Sequence, residues 1–352
     1  MRRGGAYRPG RNTGSIAIDP PARASCVLAL AASAGGVDAL TSVVAGLPPG
    51  LPAAVLVVLH IAPVGPSVLP GMISRHSRLP AAHPDDGDPL LPGRVYVAPP
   101  DRHLVVSDGA VRVLLTPKEN GTRPAADPLF RSVAHDFGPS AAGVVLSGSL
   151  DDGTAGLAAI KDAGGLTVVQ DPEEAAFPGM PLSAISYVKP DHIATLDEIP
   201  SILVGFVEEV SAVSHADEPE SVRGGAEPGD ELFEFTCPEC GGTLWLVGDH
   251  PVRFRCRVGH TFSSDSLAVG KQDAVESALY AAVVALEERA DLARRLLRRL
   301  APSRGDRLRR RYEGQIEQAE RGAATLRRMA GDMIAAADVE EDRGAEGRAG
   351  PG

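Results

Sequence analysis

From residue 25 to about 212, short apolar runs alternate with segments of helical spacing, and this alternation restricts the possible folds more than any other feature. The runs AAVLVVLH (53–60), RVYVAPP (94–100), AAGVVLSGS (141–149) and LTVVQD (166–171) keep largely to apolar residues, as strands buried on both faces require. Between several of them lie helical stretches such as DPLFRSVAHDF (127–137) and GTAGLAAIKDAG (153–164). The pattern predicts an α/β fold, a doubly wound and mostly parallel sheet. HLVVSDGAVRVLL (103–115) differs, because Asp108-Gly109 between two apolar runs predicts a hairpin. Aromatic residues make up only 4% of the chain, so its core must rest on Val, Leu, Ile and Ala.

The rest of the chain divides by composition. Residues 1–24 read as a disordered basic arm. RRGGAYRPGR followed by CVLALAASA imitates a secretory signal, but its apolar part is short and lies far from the terminus. No apolar stretch approaches the roughly twenty residues of a membrane span, so a cytoplasmic protein is expected. Residues 213–231, acidic and rich in Gly and Pro, read as a linker between a 25–212 domain and a Cys-containing unit at 232–265. Charged helical sequence fills 266–338, and 339–352 reads as a disordered tail. Val275, Leu279, Ala282 and Leu286 recur at steps of four and three, as do Tyr312, Ile316, Ala319, Ala323, Leu326, Ala330 and Met333. APSRGD (301–306) interrupts them, which predicts a C-terminal helical hairpin of coiled-coil character. Such helices pack on one another, on a second copy as a homodimer, or on a partner's helical bundle. The net charge of −11 argues against nucleic acid as that partner.

Sites in open α/β sheets gather at the carboxyl ends of the parallel strands. The run VLALAASAGGVDAL (27–40) puts Ser33 there, beside a helix start where free N–H groups stabilise negative charge. Taken alone, Ser33 reads first as a helix cap or turn residue and second as a nucleophile. His60 ends the next apolar run, and Asp151 and Asp152 follow AAGVVLSGS. Each has a structural alternative, an edge histidine or a turn acid. Together they form a nucleophile, base and orienting acid. The order Ser, His, Asp is not that of α/β-hydrolases, and G-x-S-x-G is missing.

At this point six blocks, in order, resemble the catalytic domain of the chemotaxis protein-glutamate methylesterases, the CheB family. They are AASAGG (31–36), VLHIAP (58–63), VYVAPPDRHL (95–104), RPAADPLFRSVA (123–134), VVLSGSLDDGTAG (144–156) and VVQDPEEAAFPGMPLSAI (168–185). The resemblance implies a Rossmann-like methylesterase domain with Ser33 as nucleophile, His60 as base and Asp152, directly before Gly153, as orienting acid. It implies hydrolysis of glutamate γ-methyl esters on a chemoreceptor, with glutamine deamidation by the same chemistry and no catalytic cofactor. Other chemotaxis-pathway proteins are implied partners. Oxyanion donors are expected around Ala34, Gly35 and the Gly148–Leu150 loop with Ser149. Ala34 replaces the family's usual Thr, and Ser149 stands where Met is usual. A phosphoacceptor domain has no room in the twenty-five or so residues before Val27. A signalling scaffold that keeps the fold without the activity is the alternative, and a general small-molecule esterase a third.

Three of the four cysteines cluster. Cys237, Cys240, Cys256 and His260 follow C-x2-C, fifteen residues, then C-x3-H, the spacing of one tetrahedral zinc. His250 competes with His260 at poorer spacing, and three buried thiols with a surface histidine is the plain alternative. Four protein ligands close the coordination shell, so one structural zinc is expected in a zinc-ribbon-like unit, and its loss should spare the ester chemistry.

Overall fold

The computed structural model describes residues 23–61, 63, 67–213, 232–249, 251–299 and 306–346. Residues 1–22 of the basic arm and 214–231 of the linker lie outside them. The chain divides into two compact units. One comprises Met1–Thr116, Arg123–Ser149 and Gly153–Gly224; the other comprises Pro117–Thr122, Leu150–Asp152 and Gly225–Gly352.

The first unit is built on a seven-stranded parallel sheet. In chain order its elements are β1 (Cys26–Ala32), α1 (Gly36–Ala45), β2 (Ala53–Leu59), α2 (Leu69–His76), β3 (Ala81–Ala82) and β4 (Val95–Val97). Next come β5 (His103–Ser107), β6 (Ala110–Leu114), α3 (Ala126–Phe137), β7 (Ala141–Val145), α4 (Thr154–Asp162) and β8 (Leu166–Gln170). The unit closes with α5 (Gly179–Val188), β9 (His192–Ala194) and α6 (Ile199–Val213). The sheet order is β3-β4-β2-β1-β7-β8-β9, and every pairing is parallel. The strand order reverses at β1, with β2 on one side and β7 on the other, so a crevice opens beyond its carboxyl end.

Successive residues of β1 serve opposite faces. Leu28 and Leu30 pack with Leu40, Val43 and Val44 of α1 and with Leu203 of α6. Val27, Ala29 and Ala31 pack with Phe130 of α3, Leu157 of α4 and Met180 of α5. All seven residues of β1 and of β2 are buried, which explains their unbroken apolar runs. The hairpin β5–β6 turns at Asp108 and Gly109, with φ of 55° and 67°, as the Asp-Gly pair predicts. Ala24 is already buried and donates its N–H to Leu90 O at 2.9 Å, so ordered chain begins ahead of residue 25.

The second unit contains β10 (Leu232–Thr236), β11 (Thr243–Asp249), β12 (Val252–Cys256) and β13 (Thr261–Ser263), joined as one antiparallel sheet. Among the described residues its core is Cys237, Leu244, Phe254, Cys256, Phe262 and Leu267. Helices α7 (Ser264–Arg299) and α8 (Asp306–Glu346) follow. Arg294 pairs with Glu320 and Arg327 with Glu287, an order that runs in opposite directions along the two helices. Ala319, Ala323 and Ala330 of α8 are buried, on the expected stripe.

The stripe on α7 needs correction. Val275 is 49% exposed, and Val283, Ala290 and Ala293 are buried instead. Leu279, Ala282 and Leu286 are half-buried as the stripe requires, so only Val275 leaves it, and the stripe widens to take in Val283. α8 also runs to Glu346, past the boundary expected at 338. Among the described residues no helix is long and apolar enough to cross a membrane.

Candidate active site

Ser33 lies in the turn from β1 to α1. Its N–H donates to Ser147 O at 2.9 Å, and its own carbonyl accepts Gly36 N–H at 2.9 Å. It does not cap the helix: the N-cap is Gly35, at φ 69°, and no side chain bonds there. The turn is too tight for larger residues. A Cβ on Gly36 would lie 2.5 Å from Ala32 Cβ, and one on Gly148 would lie 2.1 Å from Met180 Sδ and 2.9 Å from Ser33 Cβ. Ser147 holds the turn from the β7 side, giving its Oγ–H to Ala34 O at 2.8 Å and accepting Phe177 N–H at 3.0 Å.

His60 follows β2, the neighbour of β1, and donates its N–H to Ala32 O at 3.2 Å. Ser33 and His60 are therefore brought to adjacent strand ends. Both are half-buried. The Gly148 N–H expected among the oxyanion donors is already bonded to Phe177 O at 2.9 Å. Ser149 is exposed.

The loop leaving β7 carries Asp151 and Asp152 to Gly153, the N-cap of α4. Asp152 is only 2% exposed, and a carboxylate so buried needs polar partners. Asn120 supplies one, donating Nδ2–H to Asp152 Oδ1 at 2.9 Å. Asp151 Oδ1 has none. Burial pushes the Asp151 carboxyl up to about 6, against a Ser263 hydrogen bond that lowers it and with the charges of Asp265 and Asp152 adding to it.

This shift fixes a pH dependence of stability. The unfolded carboxyl titrates near 3.8, so between about pH 4 and 6 the folded chain keeps a proton that the unfolded chain has lost. Stability from neutral Asp151 is therefore full below pH 4 and is lost as pH rises to 6, by about 3 kcal/mol at most. Asp151→Asn should melt above the parent at pH 8 and level with it at pH 4. A melting difference that does not change with pH would refute this.

Cys237, Cys240, Cys256 and His260 converge, their ligand atoms all within 4.8 Å of one another. Cys237 Sγ and Cys256 Sγ lie 3.6 and 3.5 Å from His260 Nδ1, and Cys240 Sγ lies 3.6 Å from Cys256 Sγ. Tetrahedral zinc, with bonds of about 2.3 Å to sulfur and 2.0–2.1 Å to nitrogen, sets such atoms about 3.6–3.8 Å apart. The donor set fits zinc, and the sulfur separation is far too long for a disulfide. The fourth cysteine, Cys26, is a core residue of β1 whose thiol burial pushes up to about 12. His250 lies outside the described residues.

A family model described as CheB methylesterase matches residues 28–203, half of the chain. The chain belongs to the CheB methylesterase family. Among curated relatives, the protein-glutamate methylesterase/protein-glutamine glutaminase 2 of Anaeromyxobacter dehalogenans is 43% identical over 185 residues, covering 52% of this chain and 54% of that one. A protein-glutamate methylesterase/protein-glutamine glutaminase of Pyrococcus horikoshii is 34% identical over 195 residues, covering 54% and 53%. The chain thus spans about half the length of the curated relatives it matches. The solved CheB methylesterase catalytic domain of Thermotoga maritima aligns at 30% identity with a TM-score of 0.49, covering 51% of this chain and 97% of that one.

The residues that hold these loops escape a reading of the sequence. Ser147 sits inside an apolar run and Asn120 in a loop, so neither carries a periodic signal. Gln170 at the end of β8 belongs with Ser147, whose N–H it accepts through Oε1 at 2.9 Å.

Proposed function

We propose that this chain is a cytoplasmic protein-glutamate methylesterase that hydrolyses glutamate γ-methyl esters on chemoreceptors, with Ser33 as nucleophile, His60 as base and Asp152 as orienting acid. Family membership supports the reaction class. The observation that carries the residue roles is Ser33 itself, which stands in the β1–α1 turn without capping the helix, beside a histidine bonded to the residue before it. Ser33, His60 and Asp152 each follow one of three neighbouring strands, β1, β2 and β7.

In this reading Ser33 Oγ attacks the ester carbonyl while its proton passes to His60. Asp152 holds the imidazole in the productive tautomer and stabilises the imidazolium. The oxyanion is received by backbone N–H groups of the β1–α1 turn at Ala34 and Gly35; one such donor is commonly worth about 3–4 kcal/mol. The proton on His60 leaves with methoxide as methanol. Water deprotonated by His60 then attacks the acyl carbonyl, freeing glutamate and restoring Ser33. A glutamine side chain passing through the same steps releases ammonia.

Incubation with a methyl-labelled receptor fragment tests the reading. Methanol release far above that from a simple methyl ester supports it. Binding without methanol release would mark a signalling scaffold, and equal rates on both esters a general esterase.

The small sheet is read as a zinc-ribbon-like unit in which Cys237, Cys240, Cys256 and His260 hold one structural zinc. The metal would cross-link a unit whose apolar core, among the described residues, is small. Elemental analysis of the purified chain should give one zinc per molecule, released on acidification as the thiolates protonate. Absence of zinc would defeat this assignment. α7 and α8 are read as a helical hairpin. In this reading its partners are the receptor's helical bundle and other chemotaxis-pathway proteins.

A further inference from the structure

Asn120 occupies a left-handed backbone position, φ 51°, which asparagine tolerates better than most residues. Its N–H donates to Thr261 O at 2.8 Å, Thr261 N–H donates to Lys118 O at 3.3 Å, and Glu119 forms a bridge with Thr261. Residues 118–120 are thereby laid along β13.

The side chain is committed at both ends. Its Oδ1 accepts Ser263 N–H and Ser266 Oγ–H, each at 3.0 Å, and its Nδ2 donates to Asp152 Oδ1 at 2.9 Å. A backbone N–H only donates, so the amide oxygen must face Ser263 and the amide nitrogen must face Asp152. Turning the amide over would set oxygen against carboxylate and N–H against N–H. The strand therefore dictates which end of Asn120 meets the acid. That strand starts one residue after His260 and pairs with β12, which ends at Cys256. Cys256 N–H in turn donates to His260 O at 3.0 Å.

We propose that Asn120 is a positioning residue for Asp152 and that β13 with the first turn of α7 holds it in that role, so ester hydrolysis depends on the Cys/His-bearing sheet. This rests on the reading of Asp152 as the acid that orients His60. A donor on one carboxylate oxygen restricts rotation of the group and favours its ionised form. On this proposal, loss of the Cys/His-bearing sheet would lower ester hydrolysis rather than spare it.

In the full chain, Asn120→Ala should lower kcat about 10- to 100-fold, the range for a lost hydrogen bond to a charged group, with little change in KM. An unchanged kcat would overturn the proposal. Asn120→Asp keeps an acceptor for Ser263 and Ser266 but sets a second carboxylate against Asp152. It should lose at least as much activity as Asn120→Ala; full activity would reduce Asn120 to a structural tie and also overturn the proposal.

A double-mutant cycle gives the readout that a purely structural role would not produce. Added to Asp152→Asn, Asn120→Ala should cost nothing further, whereas losses that multiply would mean Asn120 does not act through Asp152. If Asn120→Ala does not fold, Ser266→Ala carries the test, with a drop in kcat of about 2- to 10-fold for one neutral hydrogen bond. An unchanged kcat there would overturn the proposal. Failure of the underlying reading shows separately, as near-parental hydrolysis by Asp152→Asn alone.

Discussion

Ser33→Ala should abolish methyl-ester hydrolysis, with a fall in kcat of at least about 10⁴-fold, and leave the fold in place. Removing the nucleophile of a Ser-His-Asp set leaves only what binding and oxyanion donors supply. The fold should survive because the substitution deletes one oxygen and nothing that holds the turn. Ser33 N–H keeps Ser147 O, its carbonyl keeps Gly36 N–H, and α1 is capped at Gly35 without help from the serine. The retained Cβ still meets Gly148, where no larger residue fits. Stability should therefore move by no more than about 0.5 kcal/mol. Methanol release and a thermal melt on the same preparation check both halves. A variant with a tenth of parental activity would remove Ser33 from its role. Loss of activity with an early melt would mean that the turn, not the chemistry, had been damaged.

The residues legible in the sequence are those tied to strands that declare themselves. β1, β2 and β7 are unbroken apolar runs because helices cover both faces of the sheet, and their ends locate Ser33, His60 and Asp152. What failed to show has physical reasons. β3 and β9 hold two and three residues, too few for any period to register. The α7 stripe differs at Val275, which is exposed, and widens to Val283, because steps of three and four fix a helix face only to within about one residue. Gly148, expected as an oxyanion donor, spends its N–H on Phe177 O. Asn120 was invisible for another reason. Its partners Ser263 and Ser266 lie 143 and 146 residues away, and a polar contact at that distance leaves no pattern along the chain.

Asp152→Asn should cost about 10³- to 10⁴-fold in kcat, and Asp151→Asn little. The two acids are neighbours and both are buried, at 2% and 7% exposure, so burial alone does not separate them. Their partners do. Asp152 receives a hydrogen bond from Asn120, which holds one of its carboxyl oxygens in place. Asp151 has an orphan oxygen and a carboxyl raised to about 6, the marks of an acid that its surroundings disfavour as an anion. At position 152 an introduced amide would still accept from Asn120 Nδ2 through its oxygen. Its own NH₂ would then take the place of the second carboxylate oxygen and favour the wrong imidazole tautomer, the source of the large loss. At position 151 the same change removes a charge that burial penalises, so activity at pH 8 should stay within about threefold of the parent while the melting temperature rises. Initial rates and melts of the two variants at pH 8 decide the matter. If Asp151→Asn proves the more damaging to kcat, the orienting acid is Asp151, and Asn120 loses its place in the mechanism with it.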